Sequence, residues 1–356
     1  MKYQQLQFIP PTLIDIPKAK EHQKASSKHR DSKQYLPIIV VLRGLASLAV
    51  CMFHFTKGFV EEEGLIRGIF RNGWMGVEVF FVISGFVIPF SLLGSSFRIG
   101  HYWRFLKKRF LRIEPAYIVS IFLILFLNYL ASKTPGFAGD SFKINVMELL
   151  EHLGYLVNLF GNTWLSPVYW TLEIEFHYYL IIGVLIALWN LNNRWIILST
   201  VLLLLSLSFL SQDVIQFFKY TDIFVIGITT AFYKKQYLSR PLYVLLLIVG
   251  TLIIFENHGL AIATLTSVTA LLIGFFGSYG NSKVLLFLGN ISYSLYLVHV
   301  PIGGKIINLS KRMDLSESLK FGVIILALLI SIYVAWIFYK FIEKPSHQWA
   351  KKVKFN

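Results

Sequence analysis

The sequence predicts an all-α fold: a polytopic membrane helix bundle of about ten transmembrane helices with cytoplasmic termini. Three observations carry that expectation. Apolar residues make up 55% of the 356 residues against 15% charged, and the mean hydropathy of +0.61 lies outside the range of an ordinary soluble domain. Apolar runs of about 17 to 25 residues, each long enough to cross roughly 30 Å of hydrocarbon, recur to the C-terminus with short polar connections. Lys and Arg are shared unevenly between alternate connections, as the positive-inside rule requires of a spanning chain.

Taken in order, residues 1–35 are the exception. Lys18, Lys20, Lys24, Lys28, Arg30 and Lys33 sit among Ser, Gln, His and Pro, with too little apolar content to pack a core. This segment reads as a flexible basic cytoplasmic tail. It lacks a short apolar stretch with a small-residue cleavage site, so the first span is expected to act as an uncleaved anchor. The membrane portion covers 36–345, with spans at 36–56, 74–93, 114–131, 168–190, 195–211, 216–233, 240–256, 260–277, 285–304 and 320–343. A short basic tail, 346–356, follows. With cytoplasmic termini, 22 Lys and Arg fall in inside segments and 10 in outside ones, which selects that orientation. The connection 132–167 is too polar in its first half to span, but VMELLEHLGYLVNLF, 146–160, reads as an amphipathic helix lying on the outer surface.

Composition also excludes function classes. The net charge of +15 comes mainly from loops flanking apolar spans, so it sets topology and implies no nucleic-acid partner. The lone Cys51 lies within the first span, which excludes an intramolecular disulfide and a cysteine metal site. The His and Glu residues lack a helical two-His spacing, so no metal is expected.

Ionisable residues inside spans are costly and by default functional. In VVLRGLASLAVCMFHF, Arg43 and His54 are eleven positions apart, three turns plus about 20°, so they share one helix face about 16 Å apart. Arg43 is expected toward the cytoplasmic half and His54 near the outer end. Depth counting adds Glu78, Glu175 and His299 to His54 as an outward-lying cluster of carboxylates and imidazoles. Glu173 and His177 flank Glu175 on other faces, and only one of the three is expected to point into the site. At the opposite end, HYWRFLKKRFLRIEP supplies Arg104, Lys107, Lys108, Arg109 and Arg112. One end suits proton transfer and the other phosphate binding. Tyr293, Tyr296, Trp74 and Trp170 read first as packing or interfacial residues.

Six stretches in order resemble the integral-membrane acyltransferase-3 family. LRGLASLAVCMFHF is similar to its first-helix Arg and His motif, and GVEVFFVISGFVI places its acidic residue on Glu78. KKRFLRIEPAY places its two arginines on Arg109 and Arg112 and its proline on Pro115. YWTLEIEFHYYL places its glutamate on Glu175, with Thr171 where the family usually has Ser. FLGNISYSLYLVHVPI and FIEKPSHQ resemble the late motifs. The likeness covers about residues 36–345.

The resemblance implies O-acyl transfer, most often of acetyl, from a cytoplasmic acyl-CoA to a hydroxyl of a carbohydrate or glycolipid acceptor. Exopolysaccharide or lipopolysaccharide is the first expectation. It implies a multi-pass protein of the cell inner (plasma) membrane, with acetyl-CoA as donor substrate and no permanently bound cofactor. Arg43, Arg109 and Arg112 are then the donor-binding residues and His54 the general base. Glu78 or Glu175 would orient the His54 ring, and His299 and Tyr296 would stand on the acceptor side. Direct attack on the thioester and a covalent acyl-histidine both stay open. The rival reading is a proton-coupled transporter or permease, since intramembrane His and Glu also build proton relays.

Overall fold

A computed structural model of the chain describes residues 36–93, 95, 97–134, 145–189, 194–210 and 216–355. The basic tail expected over 1–35 and part of the long connection, 135–144, lie outside the described residues. Among the described residues all regular structure is helical.

The first helix, α1 (Pro37–Thr56), begins with Pro37 in its first turn, where a missing N–H costs nothing and φ is already helical. A short α2 (Leu65–Phe70) leads into α3 (Gly76–Leu93) and the long α4 (Tyr102–Ser132). Next come α5 (Val146–Gly154), α6 (Trp170–Leu188), α7 (Arg194–Leu207) and α8 (Thr221–Lys234). After α9 (Arg240–His258) and α10 (Leu260–Phe276), α11 (Lys283–Asn290) and α12 (Ser292–His299) meet at a bend. A π-helical turn, Val300–Gly304, joins α12 to α13 (Lys305–Ser310). Then α14 (Glu317–Phe338) runs through a second π-helical turn, Tyr339–Glu343, into α15 (Lys344–Lys352).

Six of these stretches are long and apolar enough to cross a membrane, and a seventh is formed if the pair bent by 59° at Ile291 is one span. Ten were expected. Helix forms in each expected segment, but α7 and α8 have 14 residues each and α10 has 17. A 14-residue helix is only about 21 Å long, short of the hydrocarbon thickness. In α8, 12 of those residues are buried, so protein rather than lipid surrounds it. Its continuous apolar character reflects a helix enclosed by others.

Two close crossings organise the bundle. A Cβ on Gly85 of α3 would lie 2.2 Å from the Phe224 carbonyl of α8, and one on Gly227 of α8 would lie 2.2 Å from the Val82 carbonyl. Only glycine lets these backbones touch, as in other tightly packed membrane helices. Helix α3 runs antiparallel to α1, with Gly73 against Ala49 and Gly76 against Ala46.

The amphipathic segment expected over 146–160 is the shorter α5. Asn145 caps it by accepting the Met147 N–H at 3.0 Å, and Tyr155 ends it with a left-handed φ of 54°. Tyr155 then turns inward, its hydroxyl donating to Glu114 at 2.6 Å. The expected C-terminal tail over 346–356 is partly helical. Through Lys352 it is helix α15, which buries Ser346 and Ala350 and packs on α4.

Candidate active site

Helix α4 carries Arg109 and Arg112 three positions apart, so both lie on one face. That face meets Arg43 of α1, Glu175 of α6, Glu343 of the second π-helical turn and His347 of α15 around a common pocket. The pocket has about 880 Å³ of empty space, its mouth included. The carboxylates are held by their own partners. Glu175 accepts from the Ser84 hydroxyl at 2.7 Å and from the hydroxyl of Tyr179, one helical turn away. Glu343 accepts the Ser294 N–H at 3.1 Å and its hydroxyl at 2.5 Å, and lies 3.5 Å from His347 Nε2. The Arg109 guanidinium sits over the Phe105 and Tyr179 rings at 5.5 and 5.7 Å. Three arginines thus face two glutamates, and each glutamate is already engaged. The surplus positive charge, with Arg109 Nε buried and unpartnered among the described residues, fits an anionic ligand.

The pocket climbs along α3 to Val77, Thr171 and Tyr296. Tyr296, a wall of the pocket, is fixed by the Val168 carbonyl at 3.1 Å and the Thr171 hydroxyl at 2.8 Å. Its ring lies 5.9 Å from that of His299, which lies 5.3 Å from that of His54. His299 is fully buried. Its Nδ1 is 2.9 Å from the Tyr296 carbonyl and 3.1 Å from the Leu295 carbonyl. A ring nitrogen facing two carbonyls must carry the proton. His299 Nε2, buried and without a partner among the described residues, therefore presents a lone pair. Substituting His299 would remove the imidazole against which His54 packs.

The single cluster expected from depth counting divides in two. His54 and His299 come together at one level. Because Gly76 at the start of α3 lies beside Ala46 and Val50 and α3 runs antiparallel to α1, Glu78 enters below that level, at least about 6 Å beneath His54. Glu175 is lower still, bonded to Ser84 six residues further along α3, and belongs to the arginine pocket. Depth counting fails here because it assumes that all helices start at one membrane plane. Neither carboxylate faces the His54 ring; His299 does. Glu78 is buried, with Oε2 unpartnered among the described residues, and its charged surroundings are His258 and Lys219. Of Glu173, Glu175 and His177, it is Glu175 that lines the pocket.

Glu343 and His347 were missed as site residues. They stand in FIEKPSHQ, whose residues are visible in sequence but whose return to Arg43 depends on α14 and α15 folding back across α4. A buried group at the end of α9 was also missed: Asp222 accepts from Asn257 at 2.9 Å and lies 3.3 Å from His258 Nε2. Among the described residues no three His, Cys, Asp or Glu gather as a metal site would need.

A bundle of apolar helices long enough to span a bilayer, with a pocket between them lined by three arginines and two glutamates, defines the class as a multi-pass membrane protein. The chain belongs to the acyltransferase-3 family, whose acyltransferase domain model matches residues 37–340. It is 25% identical to the O-acetyltransferase OatA of Staphylococcus aureus over 365 residues, covering 88% of this chain and 57% of that protein. The putative acetyltransferase ORF330 of Acidianus two-tailed virus is 32% identical over 154 residues, 42% of this chain and 41% of the relative. The peptidoglycan O-acetyltransferase OatA of Listeria monocytogenes is 30% identical over 166 residues, 43% of this chain and 24% of that protein. The chain thus spans little more than half the length of the Staphylococcus relative. No solved structure matches it.

Proposed function

We propose that the protein is a membrane O-acyltransferase of the cell inner membrane. In this reading it moves an acetyl group from acetyl-CoA at the cytoplasmic face to a hydroxyl of a cell-envelope glycan. The observation that supports this best is a pocket running from three arginines to Tyr296, whose ring packs on His299, which in turn packs on His54. A donor with phosphates at one end and a thioester at the tip of a long arm matches that charge order. Arg43, Arg109 and Arg112 hold phosphate and polar arm. The acyl carbonyl reaches the imidazole end.

The acceptor oxygen attacks the thioester carbon while His54 takes the hydroxyl proton. As the C–S bond breaks, the thiolate leaves and recovers that proton from His54, giving an ester and free CoA. His299, with its proton fixed on Nδ1 by backbone carbonyls, offers Nε2 to steady the protonated neighbour. Glu175 and Glu343 order the arginines. Glu78 acts at most through its surroundings on the α9 side. The acceptor is a surface glycan; exopolysaccharide and lipopolysaccharide agree with the motifs, and the name of the Listeria relative adds peptidoglycan. A proton-coupled permease would use the imidazoles and carboxylates but gives no role to three converging arginines.

The test is purified protein given acetyl-CoA labelled in the acetyl group, with each glycan in turn. Label should appear as an alkali-labile ester on one of them. Uptake of label into vesicles without ester formation would sink the enzyme reading in favour of a permease.

A further inference from the structure

A second cavity, about 1040 Å³ with its open side included, lies between α4 and α6. Its α4 wall is built from positions 103, 106, 107, 110, 113 and 114, the i, i+3, i+4, i+7 stripe of one helix face, about 16 Å long. Trp103 and Phe110 on that stripe are 76% and 54% exposed, so the cavity opens sideways. The stripe leads from the basic start of α4 into its apolar span, and α6 is itself a candidate span, so the opening is placed where the headgroup region meets the hydrocarbon. Leu106, Phe176 and Leu180 make the remaining surface largely apolar, whereas Lys107 and Arg109 lie toward the start of α4 and Glu114 lies at the far end. Glu114 is occupied by the Tyr155 hydroxyl at 2.6 Å, and Glu175, on the wall shared with the arginine pocket, by Ser84. At the cationic end Lys107 is exposed on the groove, while Arg109 also lines the arginine pocket, where it is assigned to the donor.

We infer that this groove is a binding site for an anionic phospholipid, with the phosphate at Lys107 and one acyl chain laid along Phe110 and Ile113 of the α4 stripe. An apolar groove at hydrocarbon depth accepts a chain at no desolvation cost and excludes water, which would find few polar partners there. Basic residues between membrane helices at the headgroup level select negatively charged lipids, and Trp103 stands where interfacial tryptophans anchor. The charge pattern separates this lipid from a zwitterionic one, because the acidic residues on the lining are already engaged and Lys107 is left to meet a net negative headgroup. The inference depends on membrane embedding and not on acyl transfer, so its readout is lipid binding.

The full chain is reconstituted in nanodiscs of phosphatidylcholine containing a minor fraction of phosphatidylglycerol brominated on its acyl chains. Quenching of Trp103 is read as the difference between the wild type and Trp103→Phe, since the chain has eight tryptophans. Brominated phosphatidylglycerol should quench that component at a mole fraction where brominated phosphatidylcholine does not. Lys107→Gln, an exposed position whose change leaves packing intact, should raise the amount needed for half-quenching about fivefold. Leu106→Trp, which fills the groove, should abolish the preference. Equal quenching by both lipids, or a Lys107→Gln curve that overlays the wild type, would overturn the proposal. Should Leu106→Trp fail to fold, the Lys107→Gln curve decides alone.

Discussion

Two imidazoles and three guanidiniums divide the work that the site is proposed to do. His54 is the residue on which proton transfer depends, so His54→Ala should lower the turnover rate 10²- to 10⁴-fold with little change in the donor KM, measured with labelled acetyl-CoA. His299→Gln should cost less, because it removes the neighbour and leaves the base. Arg112→Ala should instead raise the donor KM. A charge-assisted contact contributes about 1.5–3 kcal/mol, which is about 10- to 150-fold. Arg112→Lys should recover only part of this, since a point charge does not reproduce the two-pronged guanidinium. Arg43 and His54 were legible in the sequence as charges within an apolar run, and Arg109 and Arg112 as a basic cluster before a span that resembles a family motif. The His54–His299 pairing was not, since the two lie on helices far apart in the chain and their contact depends on how α12 lies against α1.

At the scale of elements, the site depends on helices held closer than ordinary side chains allow. Ser84, which bonds Glu175, lies beside Gly85, and Gly85 is where α3 touches α8. Gly227→Val would place a branched side chain where a Cβ already comes within 2.2 Å of Val82 O. It should destabilise the protein by at least the 1–3 kcal/mol of ordinary overpacking, and should shift Ser84 with it. The check is the thermal unfolding midpoint in detergent, together with the donor KM, and both should worsen. The sequence displays α8 as one more apolar run. That it is a short helix enclosed by protein follows from its neighbours, because periodicity reports only how apolar a helix face is. The bend at Ile291 likewise escapes periodicity, since Lys283–Asn290 and Ser292–Ser310 form one apolar pattern.

For the whole molecule, the uneven loop charges fix an expected orientation, with the basic start of α4 in the cytoplasm and the connection after α1 outside. Cys51 is fully buried, which leaves the chain without a competing accessible thiol among the described residues. Lys107→Cys and Lys57→Cys should therefore be labelled from opposite sides by a thiol reagent that does not cross membranes, Lys107→Cys only after the cytoplasmic face is opened. Labelling of both from one side would reverse or refute the topology, and with it the cytoplasmic donor.

The sequence by itself determined the helical class, the membrane environment, the family motifs and, as candidates, Arg43, His54, Arg109, Arg112 and Glu175, because each of these is written in local composition and spacing. Only the tertiary structure decided which charges meet. It drew Glu175 down to the arginines, left His54 facing His299, brought Glu343 and His347 back to Arg43, and opened a second groove beside Arg109. The physical reason is that depth and facing depend on where each helix starts and tilts, and those are set by backbone contacts such as Gly85 with Phe224 and Gly76 with Ala46. No window of sequence contains both sides of such a contact.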